Sequence, residues 1–328
     1  MEAVNEASLR EQLLDRRHRL EGIISEVGKA ADLVRLLKEV DSALERMDTR
    51  AFGTCEVCKE TVDDDFLLTN PLIQYCLCRL TPEQQRALEN DLELASRIQW
   101  ALLPKQDLRA GGWEVHYRYQ PAGIVSGDIC DVVVPEEEEK PLFFLLGDVS
   151  GKGVAASFLM ARLNAMFRSL IDTGLPVPQL VERANRLFGE GTTSTHYVTL
   201  VCGRADEAGG VEICNAGHCP PLLLTHDEVA TVEATGFPVG LFSSGPFSVH
   251  RVKLSAGDTL FLYTDGLTEG RDSADSDFGL DQLSELLRRC RGLSPRALAA
   301  SCLSELASFQ DGAARTDDLT IMVLRRTL

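Results

Sequence analysis

Two spacings of apolar residues alternate along the chain. Between residues 6 and 50 they recur three or four positions apart: Leu9, Leu13, Leu20, Ile23, Ile24 and Val27, then Leu33, Leu36, Leu37, Val40, Leu44 and Met47. That spacing predicts amphipathic helix. Gly28 with the short Ala30 and Ala31 offers a turn, so two antiparallel helices are expected rather than one rod. A further helix is predicted from Thr81-Pro82-Glu83-Gln84. Thr81 suits the N-cap, Pro82 the first turn, and Gln84 completes a capping box. Leu88, Leu92, Ala95 and Leu102 continue it, Gln99 takes the remaining seam position, and Pro104 ends it. At about three heptads it fits either a short dimeric coiled coil or a helix packed on its own domain.

From Trp113 onward strand-like and helix-like runs interleave. Strands are predicted at 114–119, 129–134, 142–148, 197–203, 211–215, 222–225, 248–254, 259–263 and 319–324, and helices at 154–172, 178–189, 280–291 and 295–310. Two helices fall inside the strand series and two near its end. This predicts an α+β fold with helix-covered sheets, not a regular parallel repeat. The acidic run 136–139 reads as a solvated turn. Residues 51–80, which include the aspartates at 63–65, carry too little apolar surface for a core without a staple.

Length and charge narrow the function classes. The 328 residues suggest about two domains. Fifty acidic against 33 basic side chains give a net charge of −17. Neither half is basic, so general binding to nucleic acid is not expected. No run of the sequence approaches the ~18 apolar residues of a membrane span. The acidic, polar start Met1-Glu2-Ala3-Val4-Asn5-Glu6 lacks the features of a secretory signal, so a cytoplasmic location is expected. Of ten cysteines, Cys130, Cys202, Cys214, Cys219, Cys290 and Cys302 are scattered and read as buried thiols. Cys55, Cys58, Cys76 and Cys78 cluster instead. Cys55-Glu56-Val57-Cys58 followed by the second pair has ribbon-like spacing that suits tetrahedral zinc, although Cys-x-Cys is one residue tighter than usual.

The chemistry lies where aspartates meet glycines. Ser126-Gly127-Asp128 opens a strand, Gly147-Asp148-Val149-Ser150-Gly151-Lys152-Gly153 closes one, Thr264-Asp265-Gly266 follows one, and Asp317-Asp318-Leu319-Thr320 begins the last. Converging carboxylates repel, and divalent cations remove that cost. With no histidine in these four motifs, magnesium or manganese fits better than zinc. Two such ions sharing a water generate a nucleophile suited to in-line attack on phosphate. Asn215-Ala216-Gly217-His218 reads either as a catalytic acid or as a turn that fixes a strand end. Lys152 and Arg271 read as surface cations or as phosphate contacts.

These strings, with Gly147-Asp-Val-Ser-Gly-Lys-Gly-Val-Ala-Ala156, Asn215-Ala-Gly-His-Cys-Pro-Pro221, Gly236-Phe-Pro-Val-Gly-Leu241, Tyr263-Thr-Asp-Gly-Leu-Thr-Glu269 and Thr316-Asp-Asp-Leu-Thr320, resemble the PPM (type 2C) metal-dependent protein phosphatases, in their SpoIIE/RsbU branch. The resemblance covers about residues 107–328, and Leu94–Pro104 resembles the segment leading into that domain. It implies a two-sheet β-sandwich flanked by helices (α/β/β/α) with a binuclear Mn or Mg centre. On the matching positions, Asp128, Asp148 (bridging), the carbonyl of Val149, Asp265 and Asp317 would hold the ions, with Asp318 close by. Ile129-Cys130 departs from the aromatic residues common in the branch. The implied activity is hydrolysis of phosphoserine or phosphothreonine, with a phosphorylated anti-anti-sigma (STAS-domain) protein as substrate in a partner-switching pathway.

The front of the chain, with Phe52-Gly-Thr-Cys-Glu-Val-Cys58, resembles the DksA/TraR zinc-finger family over about residues 6–80. That resemblance implies structural zinc on Cys55, Cys58, Cys76 and Cys78 and a possible RNA polymerase contact; the acidic Asp-x-x-Asp-x-Ala tip of that family is missing near residues 28–32. The expected organisation is 1–80 as hairpin and cysteine module, 81–106 as linker helix through which two copies could pair, and 107–328 as phosphatase domain. The competing expectation is a DksA-like polymerase regulator with a non-catalytic phosphatase-fold scaffold.

Overall fold

The fold was analysed in a computed structural model that describes residues 6–27, 31–62, 67, 71–76, 78, 80–135, 140–190, 196–312 and 315–328. The predicted turn at 28–30, the aspartates at 63–65 and the acidic run at 136–139 lie outside those residues. The chain forms two compact units, Met1–Asp91 and Leu92–Leu328.

In the first unit, α1 (Glu6–Val27) and α2 (Ala31–Asp48) are the two predicted helices. They run antiparallel, since Arg10 pairs with Asp48 and Arg17 with Asp41, each at 2.7 Å. Leu9, Leu13 and Leu20 are buried with Val40, Ala43, Leu44 and Met47 between the helices. The exposed ion pairs add little, and this apolar seam supplies most of the hairpin's stability. The buried Arg46 guanidinium donates to the carbonyls of Ile73 (2.7 Å) and Leu72 (3.3 Å), tying the cysteine segment to α2.

Helix α3 (Pro82–Leu102) starts as expected. Thr81 N donates to Gln84 Oε1 at 2.9 Å and Gln84 N to Thr81 Oγ1 at 3.2 Å, the reciprocal bonds of a capping box. Its last turns pack on their own domain: Gln99 is buried and bonds both backbone groups of Ser126. This half of the seam is thereby removed from any coiled coil.

The second unit is a sandwich. Its strands are β1 (Asp107–Ala110), β2 (Trp113–Gln120), β3 (Asp128–Val133), β4 (Leu142–Val149), β5 (Val198–Ala205), β6 (Gly210–Ala216), β7 (Leu222–Leu224), β8 (Val229–Thr231), β9 (His250–Lys253), β10 (Thr259–Tyr263) and β11 (Leu319–Arg326). One antiparallel sheet has the order β1-β2-β11-β10-β7-β8 and the other β3-β4-β5-β6-β9. Trp113, Val115 and Tyr117 of β2 meet Val132, Phe144, Leu146 and Val201 in the core between the sheets. Helices α4 (Gly153–Ile171) and α5 (Val177–Gly189) cover the second sheet, and α6 (Gly279–Cys290) and α7 (Pro295–Gln310) the first. The layers are therefore α/β/β/α, as expected.

By length and composition α4 is apolar enough to cross a membrane. Its Ala156, Met160, Leu163, Phe167 and Leu170 are buried against the second sheet, so the apolar content belongs to a core helix covered on one face.

Candidate active site

The acids meet because the strand register brings them together. Asp128, first residue of β3, stands opposite Asp148 near the end of β4. Gly127 allows the approach: a Cβ there would lie 3.1 Å from the Val149 carbonyl and 3.2 Å from Asp148 Oδ1. In the other sheet β10 and β11 pair up to Tyr263 opposite Ile321, so Asp265 and Asp317-Asp318 leave the same edge. Gly266 is required there, because a Cβ would fall 2.1 Å from the Asp318 carbonyl oxygen.

Two threonines join the sheets at this point. The hydroxyls of Thr264 (3.0 Å) and Thr320 both donate to Asp128 Oδ2, and Thr320 N donates to Thr264 Oγ1 at 2.8 Å. Both threonines are fully buried. The sequence reading passed over them, although each lies in a quoted motif; a hydroxyl next to an acid at a strand end was the available signal.

Asp318 accepts the backbone N–H of Ala122 at 2.7 Å and of Gly127 at 2.9 Å, one on each carboxylate oxygen. It thereby fixes the loop that delivers Asp128. Asp317 accepts the Asp318 N–H at 2.9 Å and lies 3.2 Å from Lys152 Nζ, which also donates to the Thr316 carbonyl at 2.9 Å. Lys152 therefore stands at the rim of the acid cluster. Arg271 pairs with Asp275 and Asp277 on the surface.

The electrostatics are those of a crowded, buried group of acids. Burial, reinforced by Asp148, holds the Asp128 carboxyl well above the carboxylate range. Burial and then the charges of Asp265, Asp317 and Asp318 push Asp148 up to about 8. Asp265 is raised to about 6, by burial and then by Asp317. Asp128 Oδ1 is buried and has no hydrogen-bond partner. An orphaned carboxylate oxygen among mutually repelling acids fits a hard divalent cation, whose ligands are oxygens.

Two neighbouring features are structural. His218 is buried; its Nε2 faces the Tyr263 carbonyl at 3.1 Å and its Nδ1 the Thr199 hydroxyl at 2.8 Å. A carbonyl can only accept, so Nε2 carries the proton and Nδ1 accepts from Thr199. Burial lowers its pKa to about 4. Asn215 closes the same turn by accepting His218 N at 2.8 Å and donating to its carbonyl at 3.2 Å. Of the two readings of this motif, the geometry selects the turn. Unforeseen in the sequence is Asp131, buried on β3, which receives Arg168 Nε and Arg168 N–H, each at 2.6 Å, and Asn164 Nδ2 at 3.3 Å. This pair anchors α4 to the strand that carries Asp128.

In the first unit the four clustered cysteines converge. Their sulfur atoms all lie within 4.8 Å of one another, with Cys55–Cys78 at 3.6 Å and Cys58–Cys76 at 3.4 Å. A tetrahedral ion with ~2.3 Å metal–sulfur bonds needs sulfurs ~3.8 Å apart. Backbone N–H groups aimed at the Cys55 sulfur, chiefly those near Cys58 and Cys76, lower its pKa to about 6. The tight Cys-x-Cys spacing does not prevent convergence; Cys78 N donates to the Cys76 sulfur at 3.3 Å.

Comparison with known proteins agrees with this fold. The profile of the SpoIIE family, described as stage II sporulation protein E, matches residues 138–327. Protein IcfG of Synechocystis sp. is 26% identical over 265 residues, 72% of this chain and 41% of that protein. Phosphoserine phosphatase RsbU of Bacillus subtilis is 23% identical over 245 residues, 74% of this chain and 72% of RsbU. The solved RsbU and RsbW domains of a Mycobacterium tuberculosis protein superimpose with a TM-score of 0.58 at 28% identity, covering 69% of this chain and 62% of theirs. The chain thus spans less than two thirds of IcfG and of that solved chain. With the family profile covering more than half of the chain and the two-sheet architecture in place, the protein belongs to the SpoIIE family of PP2C-type phosphatase folds.

Proposed function

We propose that the chain is a metal-dependent protein serine/threonine phosphatase. In this reading Asp128, Asp148, the Val149 carbonyl, Asp265 and Asp317 hold two Mn or Mg ions, with Asp148 between them, while Asp318 keeps the Asp128 loop in place. The observation that carries it is the buried, partnerless Oδ1 of Asp128 within a group of acids that raise one another's pKa. When bound, the ions supply a water-derived nucleophile at neutral pH and neutralise phosphate charge. Thr264 and Thr320 hold Asp128 through Oδ2 and leave Oδ1 for an ion, and Lys152 supplies positive charge at the rim. A scaffold without catalysis is disfavoured by the presence of every acid of the motif set. The proposed substrate is a phosphorylated anti-anti-sigma (STAS) protein of a partner-switching pathway, as the sequence resemblance implies; two relatives named phosphoserine phosphatase support the phosphoserine part of that reading.

The front segment 1–80 and the helix 81–106 regulate the enzyme in 107–328. Cys55, Cys58, Cys76 and Cys78 bind one structural zinc, supported by their converging sulfurs. Exposed Leu94 and Ile98 on α3 are available for pairing of two copies. A cytoplasmic location goes with ten cysteines of which none is joined in a disulfide.

The test is hydrolysis of p-nitrophenyl phosphate by the full chain with manganese, magnesium or chelator, beside Asp148→Asn. Metal-dependent turnover that disappears in the variant, with an unchanged circular dichroism spectrum, is expected. Turnover by the variant at the wild-type rate overturns the ligand assignment.

A further inference from the structure

The motif Gly236-Phe-Pro-Val-Gly-Leu241 plays no part in the chemistry above, yet it is held firmly beside the acids. Val239 exchanges both backbone hydrogen bonds with Val198, at 2.7 and 2.8 Å. Val198 is in turn the register partner of Val149, the residue after Asp148. Two strand spacings of ~4.8 Å put the Val239 backbone about 10 Å from that of Val149. The buried Asn185 of α5 accepts Gly240 N at 2.7 Å and donates to the Phe242 carbonyl at 3.0 Å. Gly217 lies so close that a Cβ on it would be 2.6 Å from Pro238.

This pinned loop presents apolar side chains to solvent. Phe237 is 55% exposed, Phe242 51% and Leu241 45%, and the two rings stack edge-on at 5.1 Å. The surrounding segment 234–249 contains no Asp, Glu, Lys or Arg, in a chain of which 25% is charged. An ordinary solvated loop does not combine fixed backbone, exposed aromatic rings and no charge. A fixed display of aromatic side chains loses little entropy on association.

We propose that segment 234–249 is the docking surface for the phosphorylated partner protein, which covers Phe237, Leu241 and Phe242 with apolar side chains while its phosphoresidue reaches the acids. This rests on the phosphatase reading. Position favours that occupant: with the Val239 backbone about 10 Å from Val149, a protein seated here has its phosphoresidue within reach of the acids. A phosphorylated residue carries about −2, and this chain carries −17, so an uncharged contact next to the site avoids like-charge repulsion.

The experiment compares Phe237→Ser/Phe242→Ser with the wild-type full chain on p-nitrophenyl phosphate and on a serine-phosphorylated STAS-domain protein. Binding of the same phosphoprotein is measured by calorimetry in an Asp148→Asn background. The double variant should keep p-nitrophenyl phosphate turnover within about twofold. On the phosphoprotein its kcat/KM should fall about 30-fold through KM, as for a two-residue hot spot. Phe237→Leu/Phe242→Leu should restore most of the loss. An equal loss on both substrates, or none on either, overturns the docking surface. So does a double variant that only dissociates a dimer and leaves phosphoprotein kcat/KM unchanged, since the occupant is then a second copy. A wild type silent on both substrates refutes the phosphatase reading alone; the calorimetric arm still decides the surface, by weaker binding in the serine variant or by the same affinity.

Discussion

Replacing Asp148 with asparagine should abolish turnover and yet make the metal-free protein harder to unfold. In the fold its carboxyl is pushed from 3.8 up to about 8, by burial and then by Asp265, Asp317 and Asp318. At ~1.4 kcal/mol per pH unit, the ceiling on the cost of burying and crowding that charge is about 6 kcal/mol. Asp128 and Asp265 titrate together with Asp148, so about a third of that, ~2 kcal/mol, is expected from the substitution. The sign follows from linkage. A carboxyl whose folded pKa lies above its unfolded one favours the fold fully below about pH 4 and loses that contribution as pH rises through about 8. The Asp148 contribution in metal-free wild type is therefore lost by about pH 8.5, and Asp148→Asn flattens that decline. Both tryptophans, Trp100 and Trp113, lie in the second unit, so their fluorescence follows this unit's unfolding. For a unit of this size ~2 kcal/mol corresponds to about 4–8 °C in Tm. After chelation at pH 8.5 the variant should melt that much higher, and manganese should raise the wild-type Tm far more than the variant's. A metal-free variant that melts at or below wild type, or one that gains as much from manganese, refutes the reasoning.

Other consequences are as direct. Arg168→Met leaves the Asp131 carboxylate buried without its bidentate partner and should cost about 3–5 kcal/mol, read from the urea midpoint; a loss under ~1 kcal/mol would mean that the pair is dispensable. His218, with its pKa lowered to about 4 by burial, contributes stability above pH 6.5 that is lost as pH falls toward 4. That is ~3 kcal/mol, so the stability gap between wild type and His218→Gln should shrink between pH 7 and pH 4.5; a constant gap would contradict a neutral buried imidazole. Purified chain should carry one zinc by elemental analysis, and Cys55→Ser should lose it together with the melting transition of the first unit; full helicity without zinc would remove the structural role of the metal.

Much of this architecture was legible because its signals are local. Nine strands and four helices of the sandwich follow from runs of apolar residues bounded by glycine, proline or acid, and each is found within two or three residues of its expected ends. The capping box at Thr81 is a four-residue pattern and formed as read. The strands β1 and β8 escaped notice because they are three or four residues long, lie at sheet edges and bury little. The acids were legible by their place at strand ends. What surrounds them was not: the Thr264 and Thr320 hydroxyls, the Asp318 bonds to Ala122 and Gly127, and the Arg168–Asp131 pair join residues far apart in sequence. No periodicity reports a contact of that kind. On α3 the seam residue Gln99 packs on its own unit, its amide satisfied by Ser126.

The bonds of Asp318 and Thr320 have a consequence for how the protein is made. They connect to Gly127 and Asp128, 191 and 192 positions earlier, and β11 lies inside its sheet between β2 and β10. A ribosome that has delivered β3 and β4 has therefore made two of the acids but no working centre. Until residues 317–326 emerge, the first sheet lacks an inner strand and Asp128 lacks one of the hydroxyls that aim it. Such distant closure slows folding and makes completion of the centre a late, all-or-none event. On the phosphatase reading proposed above, the centre can act only once the sandwich is whole.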